Sequence, residues 1–118
     1  MKNGFYKADY TGPFGSGSAT FGVQDGQVMG TGVAGGQYIG GIIFNAQTGR
    51  YDLTLQLKAP PGVPLVTDGR AHSADEMIPI TLSLTESDLG KPINLQTVTG
   101  PVTVTIHYLG ESSHASAA

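Results

Sequence analysis

Three segments of this chain alternate apolar and polar residues almost without error: YDLTLQLK at residues 51–58, IPITLSLT at 78–85 and VTVTIHY at 102–108. A period of two puts every second side chain on one face of a strand, so each segment has an apolar face and a polar one. No segment carries the i, i+3, i+4 stripe of an amphipathic helix. Strands of this kind must bury their apolar faces together, and a single sheet does so by curling around a common core. The expected fold is all-β: a small antiparallel eight-stranded β-barrel with little or no helix.

Eight strands can be placed. The first covers residues 5–10, with Tyr6, Ala8 and Tyr10 on one face and Lys7 and Asp9 on the other. The second, 17–24, turns Ala19, Phe21 and Val23 inward. Asp25-Gly26 is the strongest hairpin signal, because both residues tolerate the positive φ of a type I′ turn, and strand three returns over 27–32. Strands four and five span 37–45 and 50–58 around Gln47-Thr48-Gly49, and the Gly40-Gly41 pair predicts a bulge or a barrel corner. Strands six, seven and eight cover 77–85, 93–97 and 102–109, with one helical turn expected in the connector at 87–92. Pro79 lacks an N–H for a ladder, which places it on an edge, at a bulge or early in its strand. Residues 1–109 form one domain, and the small, polar tail at 110–118 is expected to be disordered.

Composition removes several classes of function. There is no cysteine, hence no disulfide framework, thiolate metal site or thiol nucleophile. Six Lys and Arg stand against nine Asp and Glu, and the cations are scattered singly, whereas phosphate-backbone binding needs them clustered. Direct nucleic-acid contact is not expected. The N-terminus lacks a basic region followed by an apolar one, and no apolar run reaches the ~20 residues needed to span a bilayer. A cytoplasmic protein without membrane attachment is the expectation.

The segment 59–76 breaks the rhythm of tight turns. Loops beyond about 12–15 residues are usually functional or mobile; this one could be a lid, could pair residues 63–67 as an extra strand, or could be slack. It gathers Asp68, Arg70, His72, Asp75 and Glu76. His72 with Asp75 or Glu76 could bind a metal or act as a base, but with no second histidine nearby the preferred reading is a solvated loop turning at Asp68-Gly69. His107 alternates outward and His114 falls in the tail. The run from Gly30 through Gly32 to Gly35 has the letters of a dinucleotide fingerprint, but Gly36-Gln37-Tyr38-Ile39 is no helix, so it reads as a turn. No Gly-x-Ser-x-Gly elbow is present. The chain is expected to be non-catalytic, with no cofactor and no metal.

Tyr6, Tyr10, Phe21, Tyr38, Phe44, Tyr51 and Tyr108 all fall on the apolar phase of their strands. Buried tyrosines want partners for their hydroxyls, which suggests a polar-tipped cavity or shared hydrogen bonds. An eight-stranded barrel is just wide enough to fill with side chains or to hold one small ligand, and alternation fits both. If there is a ligand, the lining expected from phase is Tyr6, Phe21, Tyr38, Tyr51 and Tyr108. On the outer face, Thr81, Ser83, Thr103 and Thr105 form the expected surface for a dimer or partner.

The N-terminal half carries Met1-Lys2-Asn3-Gly4-Phe5-Tyr6, then Gly17, then Asp25-Gly26-Gln27-Val28-Met29-Gly30 and Gln37-Tyr38-Ile39-Gly40 in order. Over residues 2–45 this resembles the GrlR-type negative regulators of type III secretion, which open with a similar Lys-Asp/Asn-Gly-x-Tyr strand. The resemblance extends loosely to Tyr108. It implies a lipocalin-like barrel, a homodimer, an interior able to hold a lipid-like molecule, and repression by binding a transcriptional activator protein. The characterised relatives carry an acidic Glu-Asp-Glu-Asp patch after the Tyr-x-Gly strand; here residues 44–50 read FNAQTGR, with no acid. Two functions follow as expectations: a regulator that captures a protein partner, or a carrier or sensor of a small apolar ligand.

Overall fold

The computed structural model describes residues 1–73 and 76–111. Eight antiparallel strands make one sheet. They are β1 (Gly4–Gly12), β2 (Gly15–Gln24), β3 (Gln27–Gly32), β4 (Gln37–Asn45), β5 (Arg50–Lys58), β6 (Met77–Leu84), β7 (Pro92–Thr97) and β8 (Gly100–Gly110), with one 3-10 turn at Glu86–Asp88. Each strand marked out by alternation and turn signals is present in its place. Gly110 ends β8 instead of opening the tail; Asp75, His114 and the tail beyond Glu111 lie outside the described residues.

Each strand pairs with its neighbour in the chain, except at β6–β7, and β1 also pairs with β8, so the sheet bends round on itself. Between β6 and β7 the described residues form no ladder, which makes an up-and-down barrel with a single seam. Pro79 sits in β6 beside that seam, on an edge strand where its missing N–H is tolerated. Asp25 (φ 49°) and Gly26 (φ 81°) form the expected left-handed hairpin turn.

The glycine pair of β4 departs from expectation. Pairing runs through Gly40 and Gly41 without a shift against both β3 and β5, so there is no bulge. Gly40 instead permits close approach: a Cβ there would lie 2.0 Å from the Thr54 carbonyl oxygen. A register shift does occur in β1, between Phe5 and Tyr6 where they face β8.

The two ends of the barrel differ. At the end carrying the N-terminus and the 3-10 turn, Tyr6, Val23, Leu53, Leu84 and Ile106 pack into a dry core. Fully burying one such aliphatic side chain stabilises by about 1.5–3 kcal/mol. Tyr6 is 0% exposed, stacks on Phe21 at 5.5 Å and meets Tyr108 edge-on at 5.1 Å. Its hydroxyl donates to the Lys2 carbonyl at 2.7 Å. Burial, helped by the charge of Glu86, pushes its pKa up to about 12, so it stays a donor. Arg50 fastens the same end, donating from Nε and Nη2 to the Ser83 hydroxyl and carbonyl, both at 2.8 Å.

Candidate functional site

The opposite end is hollow. Apart from Tyr10, its inward positions on β1, β2 and β3 are small, namely Ala8, Gly17, Ala19 and Gly32, and they face Leu55, Leu57, Ile80 and Leu82 across the barrel. What remains is a cavity of about 470 Å³ with a mostly apolar wall. That volume lies within the ~300–1,000 Å³ usual for small-molecule sites. Leu53, Val28 and Ile106 separate it from the dry core below.

Gly17 makes room for an aromatic ring in this wall, and Gly32 lies at ordinary contact distance from two. A Cβ on Gly17 would lie 2.6 Å from the Tyr10 ring, and one on Gly32 would lie 3.6 Å from the Tyr10 hydroxyl and 3.7 Å from the Tyr38 ring. Burial, with Tyr10 close by adding to it, drives the Tyr38 pKa far upward, so its phenol stays neutral.

The long loop between β5 and β6 lies across the mouth. Pro60, Val63, Leu65, Val66 and Thr67 contribute to the cavity wall. The loop is held by the Phe14 N–H donating to the Val66 carbonyl at 2.9 Å, by a single bridge between Pro64 and Ala71, and by Thr67 Oγ1 against Thr99 Oγ1 at 2.7 Å. Gly12 and Gly100 admit it, since a Cβ at either would lie 2.3 Å from the Val66 oxygen or 2.6 Å from the Thr67 oxygen. Of the three options open to this segment, residues 63–67 form no extra strand beyond that bridge, and residues 60–67 are tied to the barrel rather than free of it.

His72 is held inside the loop, with Nε2 2.8 Å from Asp68 Oδ2 and Nδ1 2.6 Å from Glu76 Oε2. Its side chain is 11% exposed, so the loop expected to be solvated is half-buried at this point. The hydrogen bond to Glu76, then that to Asp68, holds its pKa above the ordinary value. The carboxylates occupy opposite ring nitrogens and do not converge on one point, and the described residues contain no metal-binding group of three or more such side chains. Asp75, the other candidate partner, lies outside the described residues.

Of the five residues expected to line a ligand, Phe21 and Tyr38 border the cavity. Tyr6, Tyr51 and Tyr108 face inward at the closed end and pack against the dry core, outside the cavity wall. Phe44, on the same phase, is 55% exposed at the end of β4, tilted against Tyr51. Tyr10 and the aliphatic residues of β5 and β6 are lining residues that the aromatic argument passed over; the alternating leucines at 53, 55 and 57 were the available signal.

The outer-face residues are spread over two strands, with β7 and the seam between them. Thr81 is exposed on β6, the Ser83 hydroxyl is taken by Arg50, Thr103 donates to Asn94 Oδ1 at 2.9 Å, and Thr105 stands between Asp9 and Pro92. A different outer row is more apolar: Phe5, Met29 and Ile39 lie side by side across β1 to β4, with Gly22 between the first two, and are 45%, 66% and 51% exposed.

Among the described residues, no helix is long and apolar enough to cross a membrane. Comparison of the chain with family models, with curated proteins and with solved structures gives no match.

Proposed function

We propose that this protein is a non-catalytic binder of a small apolar molecule, held in the barrel and covered by the loop between β5 and β6. The observation that carries this reading is the hollow half of the barrel. A chain able to fill one end with Tyr6, Leu53 and Leu84 places glycine and alanine at the other, and roofs the space with its own apolar residues. An apolar molecule seated there would give the lining the close contacts that the chain itself does not supply. The test is native mass spectrometry of gently purified protein, followed by denaturing measurement of the same sample. Extra non-covalent mass that disappears on denaturation is the expected result. Bare chains, together with no rise in melting temperature for any neutral apolar compound, would reject the reading.

A regulatory role through a protein partner, as the GrlR resemblance implies, is the second reading, and the outer row of Phe5, Met29 and Ile39 favours it. The occupant proposed for that row is a second copy of this chain. Thr20, Thr31 and Gln37 beside the row carry no charge, although Lys58 also borders it, so the apolar centres of two such faces can meet. Light scattering on the Met29→Glu, Ile39→Lys double variant tests it. A dimer in the parent protein that is lost in the variant supports this face, and a dimer that persists points elsewhere, with Thr103 and Thr105 next in line.

A further inference from the structure

We infer that the cavity is built for an uncharged amphiphile: an apolar body seated towards the closed end, and a neutral oxygen-bearing head, such as an alcohol or ester, beneath the loop. This deepens the proposed ligand-binding role and rests on it.

The first argument is the absence of compensating charge. Among the described residues, no Asp, Glu, Lys, Arg or His borders the cavity. A carboxylate or ammonium carried into such a space loses its hydration and gains no counter-ion, which costs several kcal/mol even after the protein relaxes. A neutral head loses far less, provided that it finds a hydrogen-bond partner.

The second argument is where those partners lie. The cavity's side-chain hydroxyls are those of Tyr10, Ser16, Tyr38, Thr67, Thr97 and Thr99. All belong to the half nearest the mouth: Ser16, Thr97 and Thr99 beside the β1–β2 and β7–β8 turns, Thr67 in the loop, Tyr10 and Tyr38 beside Gly32. The floor formed by Val28, Leu53 and Ile106 offers no side-chain donor or acceptor. The wall is therefore polarised along the barrel axis, apolar at depth and hydroxyl-bearing above.

The third argument is the tyrosine pair. Tyr10 and Tyr38 both border the cavity beside Gly32, and a phenol placed there can offer its O–H hydrogen to an acceptor in the cavity. An alcohol, ester or ketone oxygen accepts it. A protonated amine has no lone pair with which to do so.

Nile red, a neutral fluorescent dye, serves as the probe, displaced from the intact protein at mildly alkaline pH by decanol, methyl decanoate, decanoate or decylammonium. Decanol and methyl decanoate are expected to displace it at concentrations at least about tenfold below those needed for either ion, the ratio that 1.4 kcal/mol of unpaired-charge cost gives. Equal displacement by decanoate or decylammonium overturns the inference while leaving the cavity a ligand site. Displacement by none of the four, with the dye bound, overturns it too. Failure of Nile red to bind at all strikes the ligand-binding role itself. In the Tyr10→Phe, Tyr38→Phe double variant, decanol should weaken about three- to tenfold, the effect of one hydrogen bond, with Nile red affinity much less changed. The single Tyr10→Phe variant gives the same comparison if the double variant does not fold, and an unchanged decanol affinity removes the pair as the anchor.

Discussion

The side-chain oxygens of Thr67 and Thr99 stand 2.7 Å apart, although thirty-two positions separate them in the chain. Thr67 belongs to the loop over the mouth; Thr99 belongs to the β7–β8 turn and also meets Thr97 Oγ1 at 3.1 Å. This small hydroxyl chain is a tie between roof and wall. Replacing Thr67 with Val keeps the shape and removes the bond, at a cost of about 0.5–1.5 kcal/mol. The loss should be local. Amide exchange at Val66 and Thr67 should accelerate while exchange in β1 and β2 stays unchanged; uniform acceleration across the barrel would show that the tie supports the whole fold.

The His72 clasp gives the same loop a pH dependence with a determinate sign. Its folded pKa is raised above 6.5 by hydrogen bonds to Glu76 and Asp68, so the stability it contributes is fully present below 6.5 and is lost as pH rises through the raised value. Burial works against ionised Asp68, but the Arg70 N–H and His72 outweigh it and hold the pKa below 3.8; that contribution is present above 3.8 and lost as pH falls through the lowered value. Among the described residues, Asp68, Glu76 and, through Asp68, Arg70 are the charged groups in this cluster. The loop should therefore be most resistant to proteolysis between these limits. Its cleavage rate should climb from mildly acid to alkaline pH, and His72→Gln should flatten that climb; an equally steep profile in the variant would assign it to another group.

Strand placement could be read from the sequence because a period of two and a left-handed dipeptide such as Asp25-Gly26 are local properties. The position of a residue along the barrel axis is not. Tyr38 and Tyr51 share one inward phase on neighbouring strands, yet the first borders the cavity and the second the dry core. Antiparallel pairing decides this, since it puts the start of β4 and the start of β5 at opposite ends of the barrel, and which end is hollow depends on ladders between distant segments. The interior glycines hide their role in the same way. Gly17 reads locally as a weak point in a strand, and only the Tyr10 ring lying where its Cβ would be explains it. The order of the loop depends on Gly12, Phe14 and Thr99, none of which is near it in sequence. Family models and known structures add nothing to these local signals, so the GrlR resemblance stands on short glycine-based motifs alone.

Leucines of one strand should differ in cost according to their end of the barrel. Leu53, although it also forms the cavity floor, is 2% exposed and packs within the core, so Leu53→Ala should destabilise by about 2–5 kcal/mol. Leu55 borders the cavity and already lacks neighbours on one side. Leu55→Ala should therefore cost less, and it should enlarge the space available to a bound molecule. Urea denaturation of both variants, without added ligand, decides the order. Equal losses would mean that the cavity side of β5 is as tightly packed as the core.

Two glycine substitutions separate close approach from backbone conformation. Gly49 has φ 71°, and a Cβ added to it would meet nothing within 4 Å, so Gly49→Ala carries only the left-handed penalty of about 1–2 kcal/mol. Gly40 needs no positive φ, but its added Cβ would lie 2.0 Å from the Thr54 oxygen and 2.8 Å from the Leu55 Cα, both backbone atoms that cannot rotate away. Relief requires β4 and β5 to separate, which disturbs the ladder that carries Tyr38 and Leu57 at the mouth. Gly40→Ala should cost more than Gly49→Ala, reaching or exceeding the ~1–3 kcal/mol typical of overpacking. It should also loosen binding of Nile red, while Gly49→Ala, at the far end of the same pair of strands, should not. If both variants melt together and bind alike, the tight crossing at Gly40 does not shape the cavity.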